Sequence, residues 1–109
     1  MEGNTSTKSI ITNNYIITNP NEIVFIELKN EDGFLYGKGN EQIAVVTGFD
    51  EHSFLKGGFI RISKSLYVNP LHILSLNTKT TMLELVNNIK LKYQKRFEYQ
   101  LQDFLFSLL

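Results

Sequence analysis

Apolar residues in this chain fall into short clusters separated by turn formers, and their period changes once, near residue 95. Ile10 and Ile11 are divided from Tyr15, Ile16 and Ile17 by Thr12, Asn13 and Asn14. Because Asn-Asn tolerates the positive φ of a tight turn, a small hairpin is expected there. After Asn19-Pro20-Asn21 the run from Ile23 to Ile26 is apolar on both faces. That is the pattern of a strand lying between layers. Residues 28–33 read as a loop. Phe34-Leu35-Tyr36 and residues 43–46 predict the next hairpin, closed by Gly37-Lys38-Gly39-Asn40. Residues 48–56 predict a short helix that starts near Asp50, turns Phe49 and Phe54 to the core and stops at Gly57-Gly58.

The densest segment is 57–73, G-G-F-I-R-I-S-K-S-L-Y-V-N-P-L-H-I. Phe59, Ile60, Ile62, Leu66, Tyr67, Val68 and Ile73 form a β-rich apolar set bounded by Gly-Gly and Asn-Pro, which predicts core. Arg61, Ser63 and Ser65 alternate, as residues on one face of an extended segment do, and Lys64 lies between them. Residues 73–76 and 82–86 predict strands joined by a polar turn over 77–81, with Asn87-Asn88 leading into a strand over 89–93. Beyond about Lys95, Phe97, Leu101, Phe104, Leu105 and Leu108 fall at i, i+4, i+7, i+8 and i+11, the stripe of a terminal helix. Tyr99, Phe106 and Leu109 lie off that stripe, so the helix is expected to bury more than one face. The fold class is therefore mainly β, with roughly eight to ten short strands, one short internal helix and a C-terminal helix.

At 109 residues the chain is long enough for one core and one domain. The polar first residues can bury little, so residues 1–9 are expected to be a flexible N-terminus and 10–109 the domain. An apolar share of 42% with 20% charged residues suits a folded rather than a disordered chain. With no cysteine there is no disulfide, thiolate metal site or cysteine nucleophile, which fits the cytoplasm. No apolar run reaches the ~20 residues of a bilayer span, and the opening M-E-G-N-T-S-T-K lacks the hydrophobic core of a signal peptide, so neither secretion nor membrane insertion is expected.

Net charge is zero, yet its distribution is uneven. Between residues 56 and 96, eight basic residues face Glu84 alone, whereas the rest of the chain has three basic against ten acidic. This asymmetry predicts a basic surface turned to a polyanion and an acidic one turned away.

The string F-I-R-I-S-K-S-L-Y-V-N over 59–69 resembles the most recognisable segment of the LytTR family of bacterial DNA-binding domains, F-x-R-x-H-R-S-[YF]-[ILV]-V-N. Phe59, Arg61, Ser65, Val68 and Asn69 match, while Lys64 replaces the usual Arg and Ser63 the usual His. E-I-V-F-I-E at 22–27 is similar to the family's D-I-x-Y-I-E strand, and T-G-F-D-E-H-S-F-L at 47–55 to its short helix. K-Y-Q-K-R-F-E-Y-Q-L at 92–101 is similar to its terminal V-S-R-R-Y-x-x-x-L.

The resemblance implies a compact antiparallel multi-sheet domain that reaches DNA through loops and strand ends. It further implies sequence-specific double-stranded DNA binding in bacterial transcription regulation, in the manner of response regulators of two-component systems. Lys64 stands where the family reaches a base edge in the major groove, and Arg96 at the second Arg of the terminal motif. Arg61, Ser65 and Lys95 fall on positions suited to phosphate contact or local support. Ser63 and Lys92 complete these two motifs. Lys29 and Asn30 open a third contact region, in which Gly33 occupies the place of a base-reading His in some members. Duplex DNA at paired sites bound by two copies, with a homodimer, is the implied partner.

Other chemistries are weakly represented. His52 and His72 have no cysteine or spaced carboxylate pair to complete a metal site. The glycines at 33, 37 and 39 lack phosphate-loop spacing, and the adjacent acidic pairs Glu31-Asp32 and Asp50-Glu51 do not face each other across a bond. Neither an enzyme nor a cofactor is expected. The rival class is a small β protein-interaction or dimerisation module whose basic face binds an acidic partner. A single-strand or RNA binder would want exposed aromatics among its cations, whereas most aromatics here alternate into the core.

Overall fold

The computed structural model describes residues 9–107. The expected flexible N-terminus, apart from Ser9, and the stripe position Leu108 lie outside them. The described residues form ten short strands: β1 Ile10–Ile11, β2 Ile16–Ile17, β3 Phe25–Lys29, β4 Asp32–Tyr36, β5 Gln42–Val46, β6 Ile60–Arg61, β7 Leu66–Val68, β8 Ile73–Asn77, β9 Met82–Leu85 and β10 Lys90–Lys92. Helix α1 spans Glu51–Lys56 and α2 Glu98–Ser107. Pairing is antiparallel throughout, giving a central sheet in the order β5-β4-β3-β7-β6, a three-stranded sheet β10-β9-β8 and the β1-β2 hairpin.

The central sheet is covered on both faces because β3 is apolar on both. Phe25 pairs with Val68 and Tyr36 and faces one cluster, with Leu83, Leu85, Tyr93 and Leu101 from the three-stranded sheet and the tail. Ile26, the next residue, pairs with Tyr67 and Leu35 and faces the other, with Phe54 of α1 and Ile10 of the hairpin. Period-two alternation thus sorts one strand into two cores. Buried Asn69 joins layers: its side chain donates to Ile23 O at 3.0 Å and accepts from Leu71 N at 3.1 Å.

Four expectations need correction. Residues 28–33 are not a loop, since β3 and β4 meet in a two-residue turn whose Asn30 and Glu31 both have positive φ, 51° and 72°. This is the backbone that matches strand twist in a hairpin. The first hairpin does not turn on positive φ at Asn13 or Asn14; instead Thr12 Oγ1 accepts from Asn14 N and Tyr15 N, both at 3.1 Å. Segment 61–65 is not extended on one face, because the chain reverses between β6 and β7, with Ile62 N donating to Leu66 O at 2.9 Å. Val86 leaves β9 for a 3-10 turn, Val86–Asn88, that uses positive φ at Asn87 and Asn88.

The helices begin and end where their caps stand. Asp50 caps α1 by accepting from Ser53 N and Oγ, and Gly58 supplies the φ of 105° that turns the chain into β6. Before α2 comes a 3-10 turn, Lys95–Phe97. Leu101 is fully buried and Phe97, Phe104 and Leu105 half-buried, as the stripe requires. Tyr99 and Phe106 are 81% and 69% exposed, so within one copy α2 does not bury a second face.

Candidate nucleic-acid interface

Antiparallel pairing brings distant basic residues to one end of the central sheet. The turn after β3 carries Lys29 and Asn30, and β7, which pairs with β3, starts at the same end. Leu28 N therefore donates to Ser65 O at 2.7 Å, which sets the turn over residues 63–65 beside Asn30. On its other side, Ile62 O accepts from Gln94 N at 2.8 Å, which brings in Lys95 and Arg96. Tyr93 N then donates to Thr81 O at 3.0 Å, attaching the β8-β9 turn. Four turns stand in a row, held by backbone bonds.

Their side chains differ in how firmly they are held. Lys64 is exposed at its hairpin tip and has no ion pair among the described residues. Arg61 is turned inward: Nε donates to Ser63 O at 3.0 Å, Nη2 to Lys64 O at 2.6 Å and Nη1 to Glu51 Oε2 at 3.1 Å. Ser63 Oγ accepts from Ser65 N at 3.3 Å. Lys29 pairs with Glu27 at 3.6 Å and lies over the Phe34 ring. Lys92 Nζ donates to Thr80 O and Thr81 Oγ1. Arg96 is loosely held, with its guanidinium 4.8 Å from the Phe97 ring centroid and a 3.5 Å contact to Gln94.

Lys95 is paired with Glu98 at 3.2 Å, and the Tyr93 hydroxyl donates to the same carboxylate oxygen at 2.6 Å. The Tyr93 hydroxyl first, and then Lys95, hold the Glu98 carboxyl below its ordinary value. Burial, reinforced by the Glu98 acceptor, pushes Tyr93 up to about 12. A lowered carboxyl stabilises the fold above its ordinary value of 4.5 and loses that contribution as pH falls through the lowered one. A hydroxyl raised to about 12 contributes fully below its ordinary value of 10.0 and loses this as pH rises through about 12. The tie between the Lys95 turn and α2 is therefore expected to hold through neutral pH and to loosen at both extremes. Tyr93 ring NMR signals followed through acid and alkaline titrations check this.

The expected division into a basic and an acidic face does not hold in space. Glu27, Glu51 and Glu98 sit among the cations and pair with Lys29, Arg61 and Lys95. Charge counted in blocks along a sequence ignores such pairs, whether local, as between Lys29 and Glu27, or brought together by the fold, as between Arg61 and Glu51. Gly33 is buried in β4, where an added Cβ would lie 2.7 Å from Phe49 Cδ1, so position 33 faces the core and has no room for a histidine. Sequence reading omitted Lys79, Thr80 and Thr81, which share this end, and Glu51. The polar turn over 77–81 was the available signal for the first three; nothing in the sequence pointed to Glu51. Among the described residues no three His, Asp or Glu stand close enough to hold a metal ion, and His72 Nε2 instead meets Asn21 O at 2.6 Å.

A β domain that offers cations from turns at one sheet end, with acids rather than bases along its terminal helix, is by fold and site a loop-presenting binding module. The LytTr DNA-binding domain model matches residues 13–105, and the chain belongs to this family of non-enzymatic regulatory domains that bind DNA in transcription regulation. Four chains of solved structures match the fold. One is a LytTr DNA-binding domain from Bacillus cereus, 19% identical, with a TM-score of 0.64 over 94% of this chain and 98% of that one. Among curated proteins none matches the sequence. The resemblance carried by residues 59–69 and its neighbours is thus borne out, as is the mainly β fold with its two helices. No helix among the described residues is long and apolar enough to cross a membrane.

Proposed function

We propose that this domain recognises a particular double-stranded DNA sequence from the cytoplasm's side of gene control, with Lys64 and Arg96 at base edges in the major groove and with Lys29, Lys92 and Lys95 on phosphates. Two copies occupy paired sites. The observation that carries the reading is the 2.8 Å bond from Gln94 N to Ile62 O, which couples the turn bearing Lys64 to the one bearing Arg96. Two exposed donors on turns whose backbones are bonded to each other suit base recognition, whereas contacts to phosphate set register without carrying sequence. The Lys64 ammonium can donate to guanine O6 or N7 as a point charge, and the Arg96 fork can engage both at once. Arg61, with its nitrogens committed to the hairpin and Glu51, supports the turn; Ser63, Ser65 and Asn30 shape its surroundings.

Binding-site selection tests the reading. Lys64→Ala is expected to lose about 1 to 3 kcal/mol on the selected duplex and to flatten the preference at one base position. Arg96→Ala should do the same at a different position, and Lys95→Ala should weaken all sequences nearly alike. Identical preferences in wild type, Lys64→Ala and Arg96→Ala would remove both residues from base recognition.

A further inference from the structure

We propose that Glu51 is a positioning residue for base recognition: by clamping Arg61 it fixes the backbone of the turn that carries Lys64. This rests on Lys64 reading a base. Two of the Arg61 donors grip the turn from within, through the carbonyls of Ser63 and Lys64. The third reaches outside the hairpin to Glu51, in the first turn of α1. Glu51 is itself oriented, because the Tyr67 hydroxyl donates to the same Oε2 at 2.6 Å from the neighbouring strand, and the Tyr67 ring centroid lies 5.5 Å from the Arg61 guanidinium. A fixed carboxylate thus fixes a guanidinium, and the guanidinium fixes two peptide planes flanking the Lys64 Cα. Charge-assisted bonds of this kind are directional as well as strong, and a base-reading group must be held within about 0.5 Å.

The bond from Tyr67, which is 1% exposed, contributes to stability, but stability gives little reason for the ion pair with Arg61. The Glu51 and Arg61 side chains are 41% and 31% exposed, and pairs so accessible to water add little to folding. Electrostatics gives a reason against it, since a carboxylate at the end that meets a polyanion repels it. Removing the charge should therefore tighten indiscriminate binding while loosening recognition. The two effects have opposite signs, which separates positioning from a merely structural or electrostatic role.

The experiment uses the full chain and two duplexes: the one selected by wild type, and the same duplex with the Lys64-dependent base pair exchanged. Glu51→Ala is expected to lower the ratio of the two affinities about tenfold, while binding to an unrelated duplex stays equal or tightens. The Arg61 Nε–H should exchange faster with solvent in the same variant. Glu51→Gln, which keeps an acceptor for Arg61 and Tyr67, should retain more of the ratio, and it carries the test if the alanine variant folds poorly. In a Lys64→Ala background, Glu51→Ala should change the ratio no further, as expected of residues acting in series. Loss of the ratio in Lys64→Ala but not in Glu51→Ala overturns the positioning role and leaves the reading of Lys64 standing. An unchanged ratio in Lys64→Ala overturns that reading and the positioning role with it.

Discussion

Raising salt from about 50 to about 200 mM is expected to weaken duplex binding roughly 500-fold, the effect of a slope near −4.5 in log K against log salt when about five phosphates are neutralised. The turns carry six cations, of which four, Lys29, Lys79, Lys92 and Lys95, are left for phosphate once Lys64 and Arg96 reach bases, and about five lies between these bounds. Lys64, Lys79 and Arg96 have no ion pair among the described residues, Lys29 and Lys92 are held by contacts at the surface that a phosphate can replace, and Lys95, itself 68% exposed, pairs with the less accessible Glu98. Exposed pairs such as Lys29 with Glu27, at 54% and 36% exposure, are worth about 0 to 1 kcal/mol, so exchange costs little. Anisotropy titrations with a labelled duplex at several salt concentrations measure the slope. A value near zero would rule out backbone contact by these turns.

Leu101→Ala is expected to cost about 2 to 5 kcal/mol, as buried large-to-small changes do, and to lower the melting temperature by on the order of 15 °C. Leu101 is fully buried and shares a cluster with Ile62, Leu83, Leu85 and Tyr93, which come from the hairpin, the three-stranded sheet and the tail. No single neighbour can close the space its side chain leaves. Because Ile62 and Tyr93 also flank two of the backbone bonds that align the turns, recognition should decline together with stability. Thermal unfolding followed by circular dichroism decides it; an unchanged transition would mean that α2 packs independently of the core.

What could be read in the sequence was what one strand or one helix encodes alone. The two-faced burial of β3, the Asp50 cap, the stop at Gly57 and Gly58 and the stripe through Leu101 all follow from local period and capping, and each is present. What could not be read depends on pairing. Residues 28–33 look like a loop because they are polar, yet positive φ at Asn30 and Glu31 closes them into two residues. Arg61 looks like a free cation until Glu51, ten positions away, is folded against it. Gly33 aligns with a contact region but faces Phe49. Of the candidate site, the motifs pointed to Lys64 and Arg96, while the backbone bond from Gln94 N to Ile62 O that couples their turns could not be read along the chain.

The bonds that align the turns, Leu28 N to Ser65 O and Gln94 N to Ile62 O, join peptide groups and not side chains. Every amino acid except proline supplies such groups, so the frame is indifferent to what residues 64 and 96 present. On the proposed reading, a change of side chain at 64 or 96 would alter what is recognised and leave the spacing of the turns unchanged. Freedom in recognition and constancy of fold would then be one property of the backbone.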